Sequence, residues 1–181
     1  MKALRIAFCV AALLPLARRI EAAGVPVEVQ LPLFVNVWRM DRNFTHRDRV
    51  TIAVLYEETN AVSATTKNAV LAWAFGKAGL HAVLVPMDSG DPYAMLQSVE
   101  ADVFYLTPMR AADIERVAAI ARPRQIRTMT GVRDYVALGA SVAIAVRNDR
   151  PRIIINLEAA RAEGAEYPAQ LLQLAEIVKG R

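Results

Sequence analysis

The sequence predicts an α/β fold, a three-layer sandwich whose mostly parallel sheet carries an antiparallel C-terminal edge hairpin and helices on both faces. Two observations lead to this fold. Short apolar runs alternate four times with segments of helical periodicity, a pattern typical of parallel strands joined by right-handed crossovers. Near the C terminus, two strand-like runs are separated only by Asn148-Asp149, which suits a tight hairpin turn. Because 181 residues with 55% hydrophobic content suffice for one core, we expect a single domain over residues 25–181.

Six short apolar runs predict the strands, because they are rich in β-branched residues and are bounded by polar or glycine-containing segments. The mixture of brief strands and longer helical stretches indicates a sheet buried on both faces. The predicted strands cover residues 50–56, 81–85, 102–107, 125–130, 141–147 and 152–157.

Helical spacing and terminus signals predict the helices. Asp91 and Pro92 are the residue types preferred at the N-cap and the first helical position, Gly79 suits a C-terminal stop, and Pro123 breaks a helix. Residues 131–138 are predicted to form a turn or a short helix. The other predicted helices cover residues 29–38, 63–79, 108–121, 158–163 and 168–179, with a short one opening at Asp91.

The first 24 residues have the organisation of a secretory signal. A basic start is followed by an uncharged apolar run over residues 6–17. This run lies within the roughly 7–15 residues of a signal peptide and is shorter than the roughly 20 needed to span a bilayer. We therefore predict a signal peptide over 1–24 and a periplasmic mature protein. An uncleaved anchor or a buried N-terminal helix is the alternative, because Arg18 and Arg19 interrupt the cleavage region.

The net charge of +4 belongs mainly to this first segment. Without residues 1–24 the chain has 18 basic and 17 acidic residues, so it has almost no cationic excess. Binding along a nucleic acid duplex relies on many phosphate contacts from Lys and Arg. We therefore expect no nucleic-acid partner.

Motifs for catalysis and for cofactor binding are missing from the sequence. It contains no G-x-G-x-x-G, no Walker loop and no G-x-S-x-G elbow. The two histidines, His46 and His81, have no neighbouring residues at metal-ligand spacing, and the only cysteine, Cys9, lies in the predicted signal. We therefore expect a sensor, regulator or binding protein that has no cofactor and no metal and is not an enzyme.

If a small molecule binds, the carboxyl ends of the strands are the expected place, since ligands of open α/β sheets bind there. Two alternatives stay open. Glu57 with Glu58 is either a carboxylate pair or a solvated loop, and Arg133 either binds an anion or pairs with Asp134. The candidate ligand-binding residues at these ends are Tyr56, Glu57, Ser89, Thr107 and Arg133.

A protein partner is expected to contact the first predicted helix, because interfaces concentrate exposed aromatic and apolar side chains. The candidate partner-binding residues are Phe34, Trp38 and Met40. The alternative is that these side chains simply pack the helix onto the sheet.

The last third of the sequence carries the residues of a known family. Residues 128–132 form a Thr-Met-Thr-Gly-Val strand, Gly139 and the hairpin follow, and residues 153–161 read Ile-Ile-Ile-Asn-Leu-Glu-Ala-Ala-Arg. Residues 168–178, Pro-Ala-Gln-Leu-Leu-Gln-Leu-Ala-Glu-Ile-Val, then close the pattern. This arrangement resembles the YfiR-like periplasmic proteins, and residues 31–44 resemble the opening helix of that family.

The resemblance implies a periplasmic regulator that binds and restrains a membrane-bound diguanylate cyclase, thereby lowering cyclic-di-GMP and biofilm formation. Another inner-membrane sensor protein is the alternative partner. A homodimer is compatible with the resemblance. The disulfide-based redox sensing of the best-known members does not carry over, because Cys9 is the only cysteine. The alternative function is a periplasmic small-molecule binding protein resembling one lobe of an ABC-transporter solute receptor.

Overall fold

The computed structural model describes residues 24–44, 48–148 and 150–179. Its centre is a seven-stranded sheet with the order β2-β1-β3-β4-β5-β6-β7. All neighbouring strands run parallel except β5 and β6, which form the predicted antiparallel hairpin. The strands are β1 (Val50–Tyr56), β2 (Leu80–Pro86), β3 (Val103–Leu106), β4 (Arg127–Thr130), β5 (Val142–Arg147), β6 (Arg150–Asn156) and β7 (Glu176–Val178). The predicted signal peptide, apart from Gly24, lies outside the described residues, as do His46 and Asp149.

Helices cover both faces of this sheet, so the predicted α/β sandwich is confirmed. Phe34 of α1, Val70 of α2 and Leu171 of α6 are buried on one face, while Leu96 of α3 and Ile114 of α4 are buried on the other. Nowhere in the described chain is a helix both long enough and apolar enough to cross a membrane. The helices are α1 (Val27–Met40), α2 (Ala61–Ala74), α3 (Pro92–Ser98), α4 (Ala111–Ala121), α5 (Leu157–Ala162) and α6 (Ala169–Leu174), with a 3₁₀ helix at Arg133–Val136.

The helix α1 buries one side against the sheet. Leu31 and Phe34 are fully buried, whereas Val29 is 42% exposed. The helix begins two residues earlier than predicted, and its core stripe follows the spacing Val27, Leu31, Phe34, Trp38. A buried Gln30 accepts a hydrogen bond from the Tyr105 hydroxyl of β3 at 2.8 Å.

The end of α2 was predicted wrongly. The helix ends at Ala74, and Gly76 follows with φ +72°. Gly79, predicted as the helix stop, instead begins the entry into β2 with φ +79°. A Cβ atom at this position would lie 2.8 Å from the Asp48 carbonyl oxygen, so both the conformation and the close approach require glycine.

The C-terminal helix predicted over residues 168–179 was also wrong. The helix α6 stops at Leu174, and Glu176–Val178 forms β7 beside the outer edge of β6. The free ladder groups of β6 provide partners that a longer helix would not use. The hairpin is therefore not the outermost element of the sheet, because β7 adds one parallel strand beyond it.

A buried ion pair connects α1 to the start of β4. The Arg127 guanidinium donates from Nε to Asp41 Oδ2 at 2.9 Å, and both side chains are at most 5% exposed. Arg127 also donates to the Gln125 and Gly164 carbonyl oxygens at 2.8 and 3.0 Å. Removing one partner of such a pair leaves a buried charge uncompensated.

Glu163 lies beside this pair and is fully buried. Its carboxyl group receives hydrogen bonds from the Thr128 amide at 2.9 Å and the Thr128 hydroxyl at 2.5 Å. Burial raises the pKa of Glu163 to about 8, although these hydrogen bonds and the nearby Arg127 act in the opposite direction.

Candidate functional site

The strand order places a topological switch point between β1 and β3. From β1 the chain turns outward to β2 and then crosses back to β3 on the other side. Loops leaving the carboxyl ends of β1 and β3 diverge to opposite faces at such a point and leave a crevice. The first residues after these two strands are Glu57 and Thr107.

A chain of hydrogen bonds holds the two strand ends together beneath the crevice. The Glu57 amide donates to Ser63 Oγ at 2.8 Å, and Ser63 Oγ lies 2.6 Å from Thr107 Oγ1. Thr107 donates its hydroxyl hydrogen to the Leu55 carbonyl oxygen at 2.8 Å, so Ser63 must be the donor to Thr107. Both hydroxyl groups are fully buried, and they connect β1, α2 and β3 rather than facing a ligand.

The carboxylate of Glu57 occupies the N-terminal end of α4. Its Oε1 accepts a hydrogen bond from the Arg110 amide at 3.2 Å and lies 3.3 Å from Arg110 Nε. Helix N-termini attract anions, and here a side chain of the same protein takes that position. Glu57 is only 7% exposed, so it forms part of the floor of the crevice.

Arg110 joins Glu57 to a second buried carboxylate. Its Nε donates to Asp113 Oδ2 at 2.9 Å, and the Tyr93 hydroxyl donates to Asp113 Oδ1 at 2.5 Å. The charge of Asp113 is the main reason that the pKa of Arg110 is raised. The Arg110 side chain is 68% exposed, so its guanidinium is held by buried groups and also faces solvent.

These groups line an open cavity of about 550 Å³ at the carboxyl ends of β1, β2 and β3. Asp88 accepts hydrogen bonds from the Thr59 amide and hydroxyl, both at 2.8 Å, and the bond from the amide is the main reason that its pKa is lowered. The Arg116 guanidinium lies 3.5 Å from the centre of the Tyr93 ring. The cavity therefore offers two guanidinium groups, three carboxylates and the Ser89 hydroxyl, which suit a small polar ligand.

The structure brings together only part of the predicted ligand-binding set. Glu57 and Ser89 line this cavity, whereas Thr107 lies beneath it and is fully buried. The ring of Tyr56 lies under the Lys67 ammonium group, 4.4 Å from the ring centre. Arg133 pairs with Glu176 rather than with Asp134, and its Nη2 donates to Glu176 Oε1 at 2.5 Å.

Four residues of the cavity were missed in the sequence: Tyr93, Arg110, Asp113 and Arg116. Of these residues, Asp113 could have been identified from the sequence, because it is an acidic residue in the first turn of a helix that follows a strand. The pairing of Asp113 with Tyr93 crosses from α4 to α3, and local sequence patterns do not report such contacts.

The predicted partner-binding residues lie mainly in the core. Phe34 is fully buried with its ring edge-on to Tyr105, the two centres 6.1 Å apart. Trp38 is 4% exposed, and its Nε1 donates to Met129 Sδ at 2.7 Å. Only Met40 is partly exposed. The expectation that these side chains form an exposed surface is therefore wrong for Phe34 and Trp38, because they pack α1 onto the sheet.

A second groove, of about 720 Å³, lies between α1 and α2 at the other edge of the sheet. Val35, Trp73 and Leu80 contribute apolar surface to it, and the Lys77 ammonium lies 4.7 Å from the centre of the Trp73 ring. Phe75, which follows α2, is 89% exposed. Aromatic residues are enriched at protein interfaces, and this surface presents Trp73 and Phe75.

The described residues were also compared with the requirements of a metal site. Within residues 24–44, 48–148 and 150–179, no three His, Cys, Asp or Glu side chains come together in a way that could hold a metal ion.

Solved structures with a similar fold include a substrate-binding protein, an ABC domain in complex with L-Trp and a conserved domain protein. The ligand-free CD0873 protein of Clostridium difficile, described as a substrate-binding protein with adhesive properties, has a TM-score of 0.68 and 19% identity, covering 87% of this chain and 61% of that protein. A Streptococcus pneumonia ABC domain in complex with L-Trp has a TM-score of 0.64 and 17% identity, covering 84% of this chain and 60% of that one. A conserved domain protein of Vibrio cholerae has a TM-score of 0.63 and 17% identity, covering 85% and 60%.

At these identities the likeness shows a shared fold, and the chain spans about three fifths of each matched structure. No curated protein matches the sequence. A family model does match, over residues 42–176, and its description is YfiR/HmsC-like. This segment holds the whole sheet except the last two residues of β7. The chain belongs to the YfiR/HmsC-like family, as the resemblance in its last third predicted.

Proposed function

We propose that this protein is a periplasmic, non-enzymatic regulator that binds and restrains a membrane-bound diguanylate cyclase. The observation that carries the proposal is the family match over residues 42–176. The signal-like first segment supports export, and the floor of the switch-point crevice is occupied by the protein's own side chains. Glu57 and Arg110 bind each other there rather than forming a nucleophile and a base.

The partner surface that we propose is the groove between α1 and α2, together with Phe75. We propose this surface in place of the one predicted from the sequence, because Phe34 and Trp38 are buried. It lies on the side of the sheet where Met40 is partly exposed. An exposed aromatic residue beside a groove can act as an anchor, since a few such residues carry most of the binding energy of an interface.

The test is crosslinking of the tagged protein in detergent-solubilised envelopes, followed by identification of the captured membrane proteins. We expect a protein with a cyclase-type cytoplasmic domain. The substitution Phe75→Ser should reduce this capture at least about tenfold, in line with an interface anchor. Met95→Ser is the matched control, because Met95 is also exposed, at 42%, but lies on α3 at the opposite face.

Recovery of transporter subunits, or of no membrane protein, would contradict the regulator proposal. Equal loss of capture in both variants would contradict the choice of surface. Cellular cyclic-di-GMP gives an independent readout, and it should rise when the protein is absent and fall when it is restored.

A second candidate function is binding of a small polar molecule in the cavity formed by Ser89, Tyr93, Arg110 and Arg116. It is favoured by the location of the cavity at the switch point and by two structures that share the fold, a substrate-binding protein and an ABC domain in complex with L-Trp. An amino acid panel that includes L-tryptophan should then raise the unfolding temperature, because a ligand of the folded state stabilises it by mass action. Arg110→Gln should abolish the shift, and a panel with no effect on the intact protein would remove this candidate.

A further inference from the structure

The hairpin of β5 and β6 projects beyond the rest of the sheet at its carboxyl edge. The strand β4 ends at Thr130, which pairs with Ala143, whereas β5 continues to Arg147. These four further residues extend the two-stranded ribbon by about 13 Å, at roughly 3.3 Å per residue. Ile144 and Ala145 are still buried, so the solvent-exposed end of the ribbon consists of Val146 and Arg147 on β5 and residues 150–152 on β6.

Three arginines lie on one face of this ribbon. Arg147 is directly opposite Arg150, and Arg152 is directly opposite Ala145, two residues before Arg147. Residues opposite each other in an antiparallel pair share a face, as do residues two apart on one strand. Arg147, Arg150 and Arg152 therefore point the same way, and all three are exposed.

The charge of this face is only partly balanced. Glu176 of β7 binds both Arg147 and Arg133, so one carboxylate serves two guanidinium groups. In the described chain, no carboxylate forms an ion pair with Arg150 or Arg152. Asp149 adds one acidic residue to this part of the sequence, and the four arginines at positions 133, 147, 150 and 152 outnumber Glu176 and Asp149 by two. Like charges directly opposite each other on a ribbon destabilise it, so an external anion would relieve a cost already present.

Exposed apolar side chains lie near the same end of the sheet, on the face opposite the arginines. Val146 of β5 is 39% exposed, and Leu174, the last residue of α6, and Ile177 of β7 are 68% and 45% exposed. Arginines combined with apolar side chains are the composition of surfaces that bind anionic bilayers, where guanidinium groups contact phosphates and apolar groups enter the interface.

We propose that this arginine patch, formed by Arg133, Arg147, Arg150 and Arg152, docks the protein on an anionic membrane surface. Phospholipid phosphates would accept hydrogen bonds from the guanidinium groups on one face. Because the ribbon would meet the bilayer end-on, Val146, Leu174 and Ile177 on the other face would lie at the level of the headgroups. Without these four arginines, residues 25–181 have 14 basic and 17 acidic residues, so the attraction is confined to the patch and orients the protein with its carboxyl edge toward the bilayer. This inference does not depend on the regulator function.

The test is cosedimentation of the purified protein with vesicles of phosphatidylcholine alone or of phosphatidylcholine mixed with phosphatidylglycerol. We expect stronger binding to the phosphatidylglycerol vesicles and loss of that difference at high salt. The double substitution Arg150→Gln/Arg152→Gln should weaken binding on the order of 25-fold, since each Arg near an anionic surface contributes about 1 kcal/mol, or roughly fivefold.

The matched control is Arg39→Gln/Arg49→Gln, which removes the same charge from exposed positions at the opposite, amino edge of the sheet. Its binding should stay within about twofold of the unmodified protein, because these charges would lie beyond the Debye length from the bilayer. Both variants should unfold at or above the normal temperature, since the substituted side chains are exposed. Equal binding to both vesicle types, no binding to either, or equal loss in the two variants would overturn the proposal.

Discussion

Glu163 should make the stability of this protein fall as the pH rises above the weakly acidic range. Its carboxyl group is fully buried and has a pKa of about 8 in the folded state, against 4.5 for a solvated glutamate. At pH values between these two pKa values, the carboxyl group is therefore protonated in the folded state and ionised in the unfolded state. Stability is greatest below the unfolded pKa and is lost as the pH rises through the folded one.

The size of the effect follows from the two pKa values. Each unit of difference corresponds to about 1.36 kcal/mol between protonation states. Between about pH 5.5 and about pH 8, the linkage relation gives a loss of roughly 3 kcal/mol in the free energy of unfolding. This is a large part of the marginal stability of a typical domain.

The perturbation that isolates this group is Glu163→Gln. The amide has the shape of the protonated carboxyl, so its oxygen can accept from the Thr128 amide while its nitrogen donates to Thr128 Oγ1. We expect the variant to be about as stable as the unmodified protein near pH 5.5 and more stable than it near pH 8 by a few kcal/mol.

Urea unfolding of both proteins across this range, followed by circular dichroism, measures the difference directly. The slopes with denaturant should agree, so that the change lies in stability and not in compactness. Parallel loss of stability in the two proteins would show that the Glu163 carboxyl ionises near its usual pKa, and it would refute the burial argument.

Three further substitutions test the packing that positions the candidate sites, each read from the urea midpoint. Asp41→Asn should cost about 3–5 kcal/mol, because Arg127 would be left as a buried charge without its counterion; an unchanged midpoint would contradict this. Phe34→Ala should cost about 3–5 kcal/mol by emptying a fully buried site between α1 and β3, and a cost below about 1 kcal/mol would mean that the ring is exposed in solution. Asn156→Ala should cost about 1–2 kcal/mol, because its side chain caps α5 at the Ala159 amide (3.0 Å) and donates to the Val136 carbonyl oxygen (2.9 Å); no loss would exclude the capping role.

The sequence predicted correctly those elements whose ends are set by residues nearby in the chain. The strand β1 was predicted with its observed ends, Val50 and Tyr56, because a run of β-branched and apolar residues is bounded by polar ones. The start of α3 was also predicted, and Asp91 accepts from the Ala94 amide at 3.1 Å as an N-cap should. The hairpin turn was confirmed at Asn148, whose φ of +50° is one that Asn tolerates.

Prediction failed where two stabilised conformations compete for the same residues. Residues 176–178 continue a helical pattern, but β6 offers an unpaired edge and Arg133 and Arg147 offer charges to Glu176. The hydrogen bonds to β6 and the ion pairs with the two arginines form only after β6 has folded. The periodicity of the local sequence therefore does not predict them. The same reason explains Trp38, whose aromatic character suggested an interface while its indole nitrogen bonds to Met129, 91 residues away.

The sequence by itself determined the α/β class, the antiparallel hairpin and the family, since these rest on periodicity, turn residues and motifs that lie close together in the chain. Only the tertiary structure decided the strand order, which brings the ends of β1 and β3 side by side and so creates the switch point. It also decided that Glu57, Arg110 and Asp113 meet there, although 53 residues separate the first pair. Strand order and long-range ion pairs depend on which surfaces meet after collapse, and that is a property of the whole packed chain.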